Sequence, residues 1–346
     1  MIENNFEFLQ PVTKGHNPHD YFGRKIIGDP LIAADLLRHY SDPVVAEHVD
    51  LDHLKAEPTQ FFVPTPTITG PKEVRLDVPY ITRLRDETGK SEVLLIYEHK
   101  SKPNLHVPLQ LGVQTMVSLY KRWTDAGRPI SRKKFKLPIP LMVMVYCGAE
   151  DLDEDLLYFQ EMFEDIPEPF KLLVPQFGVV VSNLRRFNNY EHLPGRPETQ
   201  ATVETMNRFF DGTLAEQFPV MLDRFDAVTI DDRIMDIVGD ISWFSGCVTD
   251  IGPERIAKAI TNVIKGKKGI EMAELIQKGI YQQGVEIGET KGKADIVLTL
   301  LRNKFNEVPQ KIETTIRTMA DPTALESLAI HVMHSPSLEE FGKALN

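Results

Sequence analysis

The chain is poor in cysteine: among 346 residues only Cys147 and Cys247 carry thiols. They stand about a hundred positions apart, so no disulfide framework and no CxxC zinc pattern can be built from them. Both are read as buried thiols. No stretch approaches the roughly 18 uninterrupted apolar residues that a membrane span needs. The opening "MIENNFEFLQ" has neither the basic end nor the apolar run of a secretory signal, and the expectation is a cytoplasmic protein. A nucleophile elbow and a Gly-rich phosphate loop are also missing, which disfavours a small-molecule hydrolase of either kind. Positive charge is short as well: 39 Lys and Arg face 50 Asp and Glu, a net charge of -11, which at first sight argues against a nucleic-acid partner. What is present, 42% hydrophobic and 26% charged residues, suffices for one large core and a smaller module.

The charge is unevenly spread. Lys121 to Lys136 holds seven basic residues, Arg132, Lys133 and Lys134 among them, against Asp125 alone. Glu150 to Glu168 holds nine acidic residues and no basic one. The basic stripe is a candidate contact for a phosphate backbone; a solvated helix end explains the same pattern equally well.

"NPHDYFGRKIIGDPLIAADLLRHY" reads as helix with a restart at Asp29-Pro30. Prolines from Pro58 to Pro71 exclude regular helix there. "EVRLDVPYITRLRDETGKSEVLLIYEHK" then reads as two β-rich runs around a turn, a β-hairpin. "VPLQLGVQTMVSLYKRW" is helical, "KLPIPLMVMVYCG" a buried strand, "DLDEDLLYFQEMF" a short acidic helix and "QFGVVVSNL" another buried strand. Helices follow from about Glu198 to Lys265. Strands alternating with helices predict an α/β core around a central mixed sheet.

Gly284, Gly288 and Gly292 recur four apart in "GIYQQGVEIGETKGKADIVLTLLRNKF". That spacing lines one helical face and invites close approach of another helix, at about 1 kcal/mol per glycine against alanine; a flexible linker accounts for the glycines equally well. The expected division is 1–268 as the main domain with a helical extension, 269–293 as a glycine-spaced helix or linker, and 294–346 as a small helical module.

The hairpin carries the chemistry. With a two-residue loop at Thr88-Gly89, Lys100 would oppose Asp77 and Glu98 would oppose Pro79, so that Asp77, Glu98 and Lys100 share one face. A one-residue change of register would turn Asp77 away. Two carboxylates so placed can hold a hard divalent cation with open positions for water and a phosphate oxygen. The adjacent ammonium can orient the water or stabilise developing charge, an arrangement suited to phosphodiester hydrolysis. A strand-end salt bridge would produce the same residues.

The ordered run of "NPHDYFGRKIIGDPLIAADLLRHY", "RLDVPYITRL", "VLLIYEHKSKPN" and "KLPIPLMVMVYCG" resembles the Rpn family of recombination-promoting nucleases, also called YhgA-like transposases, within the PD-(D/E)XK nuclease superfamily. The likeness runs over about Pro18 to Arg185, and the glycine-spaced segment and the "LLRNKFNEVPQKI" tail extend it. It implies a restriction-endonuclease-like core with a C-terminal helical tail, and a metal-dependent DNA endonuclease acting in recombination or element mobility. The alternative is a catalytically silent DNA-binding or assembly factor on the same fold. The resemblance further implies Asp77, Glu98 and the backbone carbonyl of His99 as ligands of Mg²⁺, Mn²⁺ or Ca²⁺, with Lys100 completing the motif where the family most often has glutamine. Asp20 falls in the family's His-Asp pair, either as an extra metal-facing acid or as a helix cap. Gln110 and Gln114 occupy the places of a family Arg-x-x-x-Tyr, which bears on substrate contact by that helix. His16, His19, His106, His331 and His334 lack metal spacing. The expected partners are DNA, no membrane, and a second copy of the chain through the C-terminal helix.

Overall fold

The computed structural model describes residues 18–63, 72–75, 77–86, 90–104, 106–131, 135–319, 321–343 and 345. The proposed turn at Thr88-Gly89, His16, and Arg132, Lys133 and Lys134 of the basic stripe lie outside these residues. The described residues divide into two compact units, Phe22–Ile237 and a second that joins Pro18–Tyr21 to those from Val238 onward. Among the described residues no helix is long and apolar enough to cross a membrane.

The first unit follows the expected alternation. It contains α1 (Pro18–Ile27, from Phe22 onward), α2 (Pro30–Tyr40), α3 (Pro43–Glu47), β1 (Lys55–Ala56), β2 (Gln60–Val63), β3 (Lys72–Arg75), β4 (Val78–Arg83), β5 (Glu92–Lys100) and α4 (Val107–Asp125). Next come β6 (Ile139–Tyr146), β7 (Val180–Asn183), α5 (Pro197–Phe210), α6 (Leu214–Leu222) and the start of α7 (Asp232–Val248). Five strands form one mixed sheet in the order β1-β4-β5-β6-β7. β4 is antiparallel to β1 and β5, whereas β5, β6 and β7 run parallel. The parallel step from β5 to β6 is made through α4, as a parallel crossover requires. The restart at Asp29-Pro30 is a true cap: the Asp29 carboxylate accepts from the amides of Leu31 at 2.9 Å and Ile32 at 3.0 Å, and Pro30 takes the first helical position.

Helices cover both faces. On one, Val107 and Leu111 of α4 join Leu94, Ile96, Met142 and Met144 in a buried cluster. On the other, Tyr97 donates its hydroxyl to the carbonyl of Ala33 at 2.8 Å, and Tyr80 to that of Ile27 at 2.7 Å, tying the sheet to α1 and α2. Behind α2, the buried Asp35 receives the Arg196 amide at 2.9 Å and the Thr199 hydroxyl at 3.0 Å, which attaches α5.

Two local expectations are corrected. The run "EVRLDVPYITRL" is not one strand: β3 pairs with β2 in a separate two-stranded sheet, and Asp77 occupies a bend before β4. The acidic segment forms 3-10 turns at Glu154–Leu157 and Phe159–Met162 instead of a helix. Tyr158 between them bridges to Gly178, and Phe159 donates its amide to Phe177 at 2.9 Å, so non-local pairing takes the backbone groups that a helix would use.

The second unit is helical: the remainder of α7, then α8 (Pro253–Val263), α9 (Lys267–Phe305), α10 (Gln310–Thr318), α11 (Pro322–His334) and α12 (Leu338–Lys343). α9 runs unbroken for 39 residues, so the glycine-spaced segment is helix. Met272, Ala273 and Ile276 are buried near its start, and Val297, Leu298 and Leu301 form a core with Ile316, Leu325, Val332 and Phe341 near its end. Around Gly284, Gly288 and Gly292 a Cβ would meet nothing within 4 Å.

Candidate active site

The expected register is off by an even number of residues. Val78 pairs with Tyr97 and Pro79 with Ile96, so Pro79 does not oppose Glu98 and Lys100 does not oppose Asp77. One step past the last pair, Asp77 comes level with Glu98 itself. Because the slip is even, the side-chain faces are conserved and the two carboxyls still converge.

They converge in a buried place. Glu98 is 2% exposed, the Asp77 side chain is 10% exposed, and each carboxyl acts on the titration of the other. Glu98 Oε2 is buried and has no hydrogen-bond partner. Burial, then the hydrogen bond to Glu98 and its charge, push Asp77 up to about 8, against the pull of Arg24 and Lys100. Burial also pushes Glu98 up, but hydrogen bonds from Asp77, Lys100 and Gln110 outweigh it and hold Glu98 below the ordinary glutamate value.

Three side chains fix this pair. Lys100 Nζ donates to Glu98 Oε1 in a very short contact and lies 3.4 Å from Gln110 Oε1. Gln110, from the first turns of α4, donates its amide to the same Glu98 oxygen at 2.9 Å. Arg24 of α1 reaches Asp77 Oδ1 at 2.6 Å. Sequence reasoning missed Arg24, because nothing local marks a helical arginine as the partner of an aspartate in a strand-end bend. Gln114 follows Gln110 by one helical turn, half-buried, with its Oε1 unpartnered. Asp20 is exposed in the first turn of α1.

The His99 ring points to the opposite face, where Nε2 lies 3.1 Å from Cys147 Sγ and the ring rests on Gly23. Its backbone points elsewhere. The Lys100 carbonyl accepts from Cys147 on the β6 side, and the Ser91 carbonyl accepts from Leu84 on the β4 side. Carbonyl directions alternate along a strand, so His99 presents its carbonyl on the β4 side, beyond the last β4 pair, where Asp77 lies.

Among the described residues no group of three or more His, Cys, Asp or Glu side chains gathers as a metal cluster. Two carboxylates and a carbonyl are a smaller, all-oxygen donor set, of the kind that suits a hard divalent cation retaining several waters. The orphaned Glu98 Oε2 fits such an ion. Of the basic stripe, Lys121 is paired with Asp125 and Arg122 with Glu57, each at 2.6 Å, so these two charges are engaged within the chain.

The family model described as "Putative transposase, YhgA-like" matches residues 17–233, the stretch that holds the whole sheet and the Asp77–Glu98 pair. The chain belongs to this family. No curated protein and no solved structure matches it. Membership in the YhgA-like family, related to the PD-(D/E)XK nucleases, supports a nuclease-superfamily function and nucleic-acid interaction in general.

Proposed function

We propose that this YhgA-like chain is a divalent-metal-dependent DNA endonuclease acting in the cytoplasm, in recombination or mobile-element transactions. The observation that carries the reading is the buried Asp77–Glu98 pair, with Lys100 two residues on along the same strand. Asp77, Glu98 and the His99 carbonyl would hold Mg²⁺, Mn²⁺ or Ca²⁺. When bound, such an ion supplies Lewis acidity toward a phosphate oxygen and acidifies a water. The chain's own groups do the rest. Gln110 keeps Glu98 in place, and Lys100 uses its ammonium to orient the attacking water or to counter charge developing on the phosphate. Gln114, one turn from Gln110, and the Arg132–Lys134 stretch are assigned to the DNA backbone, where contacts give sequence-tolerant, salt-sensitive binding. The open glycine face of α9 is assigned to pairing with a second copy, which would present two sites to a duplex.

The rival is a catalytically silent DNA-binding or assembly factor that keeps the fold. Incubating the purified chain with supercoiled plasmid, in Mg²⁺ and in chelator, beside Asp77→Ala, separates them. Nicking that needs both the cation and Asp77 supports the nuclease. DNA binding without cation-dependent nicking supports the rival.

A further inference from the structure

The endonuclease reading leaves Arg24 without a task. Its guanidinium sits on Asp77 at 2.6 Å, yet its side chain is 54% exposed whereas that of Asp77 is 10% exposed. The group thus stands at the mouth of the site, half-exposed. Lys100, by contrast, is 21% exposed and is held by both Glu98 and Gln110. The two carboxylates already face two cationic side chains, and a divalent cation on the same carboxylates brings a surplus of positive charge. The surplus is relieved by an anion entering the site and by the less enclosed of the two cations turning toward it. Arg24 is that cation.

We propose, resting on the endonuclease reading, that Arg24 is a substrate-binding residue: with a divalent cation held by Asp77 and Glu98, its guanidinium would leave Asp77 and grip the non-bridging oxygens of the phosphodiester presented there. The chemistry suits arginine, whose planar fork of donors matches a carboxylate in one state and a phosphate in the other. The backbone supports the reach. Gly23, immediately before Arg24, lies so close to His99 that an added Cβ would come within 2.5 Å of the ring, so α1 is seated on β5 at the residue preceding the arginine. Seating at this distance places the Arg24 side chain over the strand end that carries Glu98. The consequence is a ligand exchange in which Asp77 and DNA compete for one guanidinium.

The test is equilibrium binding of the full chain to a fluorescein-labelled duplex, by anisotropy, in Ca²⁺ and in chelator. In Ca²⁺, Arg24→Gln should weaken binding about tenfold, the worth of one charge-assisted hydrogen bond, and lower the salt slope by about 1. Arg24→Lys should fall between, keeping the charge without the fork. In chelator Arg24→Gln should change little, because Asp77 already holds the arginine. Asp77→Asn should tighten metal-free binding, and Asp77→Asn combined with Arg24→Gln should lose that gain. Unchanged binding of Arg24→Gln in Ca²⁺, or an equal loss with and without Ca²⁺, overturns the proposal. Melting curves in chelator report whether each variant is folded, and a loss of binding that tracks unfolding counts against the proposal, since Arg24→Lys must then lose binding to the same degree. Nicking by the wild type is scored separately. Absent nicking with the Arg24 pattern intact defeats the endonuclease reading and leaves the phosphate contact standing; nicking with no Arg24 effect does the reverse.

Discussion

Replacing Glu98 by glutamine isolates charge from shape at the centre of the site. The Glu98→Gln side chain keeps the volume and an oxygen that accepts from Lys100 and Gln110, and its amide can donate to Asp77. A fully buried ion pair broken on one side costs about 3–5 kcal/mol, but Lys100 is 21% exposed and retains an acceptor, so the penalty should be about 1 kcal/mol. Cation binding responds differently. At a concentration of about 100 Kd, Mg²⁺ stabilises the native state by about 2.7 kcal/mol, which raises Tm by about 5–10 °C in a unit of this size. The wild type should show that rise, and Glu98→Gln should not, because a neutral amide cannot replace a carboxylate ligand. Plasmid nicking should disappear with it. Melting in Mg²⁺ and in chelator, beside the nicking assay, measures both. A Glu98→Gln chain that keeps the Mg²⁺-induced rise, or nicks at the wild-type rate, would refute the assignment of Glu98.

The protonation of the same pair gives a pH dependence. Asp77 is raised from an ordinary 3.8 to about 8, so its folded form binds the proton more tightly than the unfolded chain; in chelator that contribution is full at low pH and is lost as pH rises through about 8. Glu98 is lowered and contributes in the opposite sense, its share being lost only as pH falls below the ordinary glutamate range. Because a cation competes with the proton that the raised Asp77 holds, the Mg²⁺-induced rise in Tm should be larger at pH 9 than at pH 6.5, and Asp77→Asn should abolish that difference. Glu204, buried between Arg208 and Arg224 at 2.6 Å from each, should lower stability by about 3–5 kcal/mol when changed to alanine, read by urea unfolding; a loss under 1 kcal/mol would show that the arginines find other partners. Changing Gly284, Gly288 and Gly292 together to alanine should stabilise α9 by up to about 1 kcal/mol per position, because each added Cβ meets nothing within 4 Å. If the glycine face joins two copies, the same change should dissociate them in sedimentation; an oligomer that survives it uses another surface.

Sequence alone determined the class of fold and the residue types of the site. Alternating apolar runs, the Asp29-Pro30 restart and the parallel step through α4 follow from local periodicity and capping, which act over a few residues and leave their mark in the order of amino acids. Glu98 and Lys100 on one face follow from the period of a strand, and Asp77 joined them despite a misjudged register because the error was even. The glycine spacing left helix and linker equally open, and only the burial of residues at both ends of α9 carries the helix through its glycine-rich middle. Tertiary structure likewise decided that the acidic segment yields its amides to the Tyr158–Gly178 bridge, and that Arg122 is engaged by Glu57. It also decided the meeting of Arg24 with Asp77 and of Gln110 with Glu98. Each of these joins residues far apart in the chain, and which distant side chains meet depends on how helices seat on a sheet, a consequence of packing that no local pattern encodes.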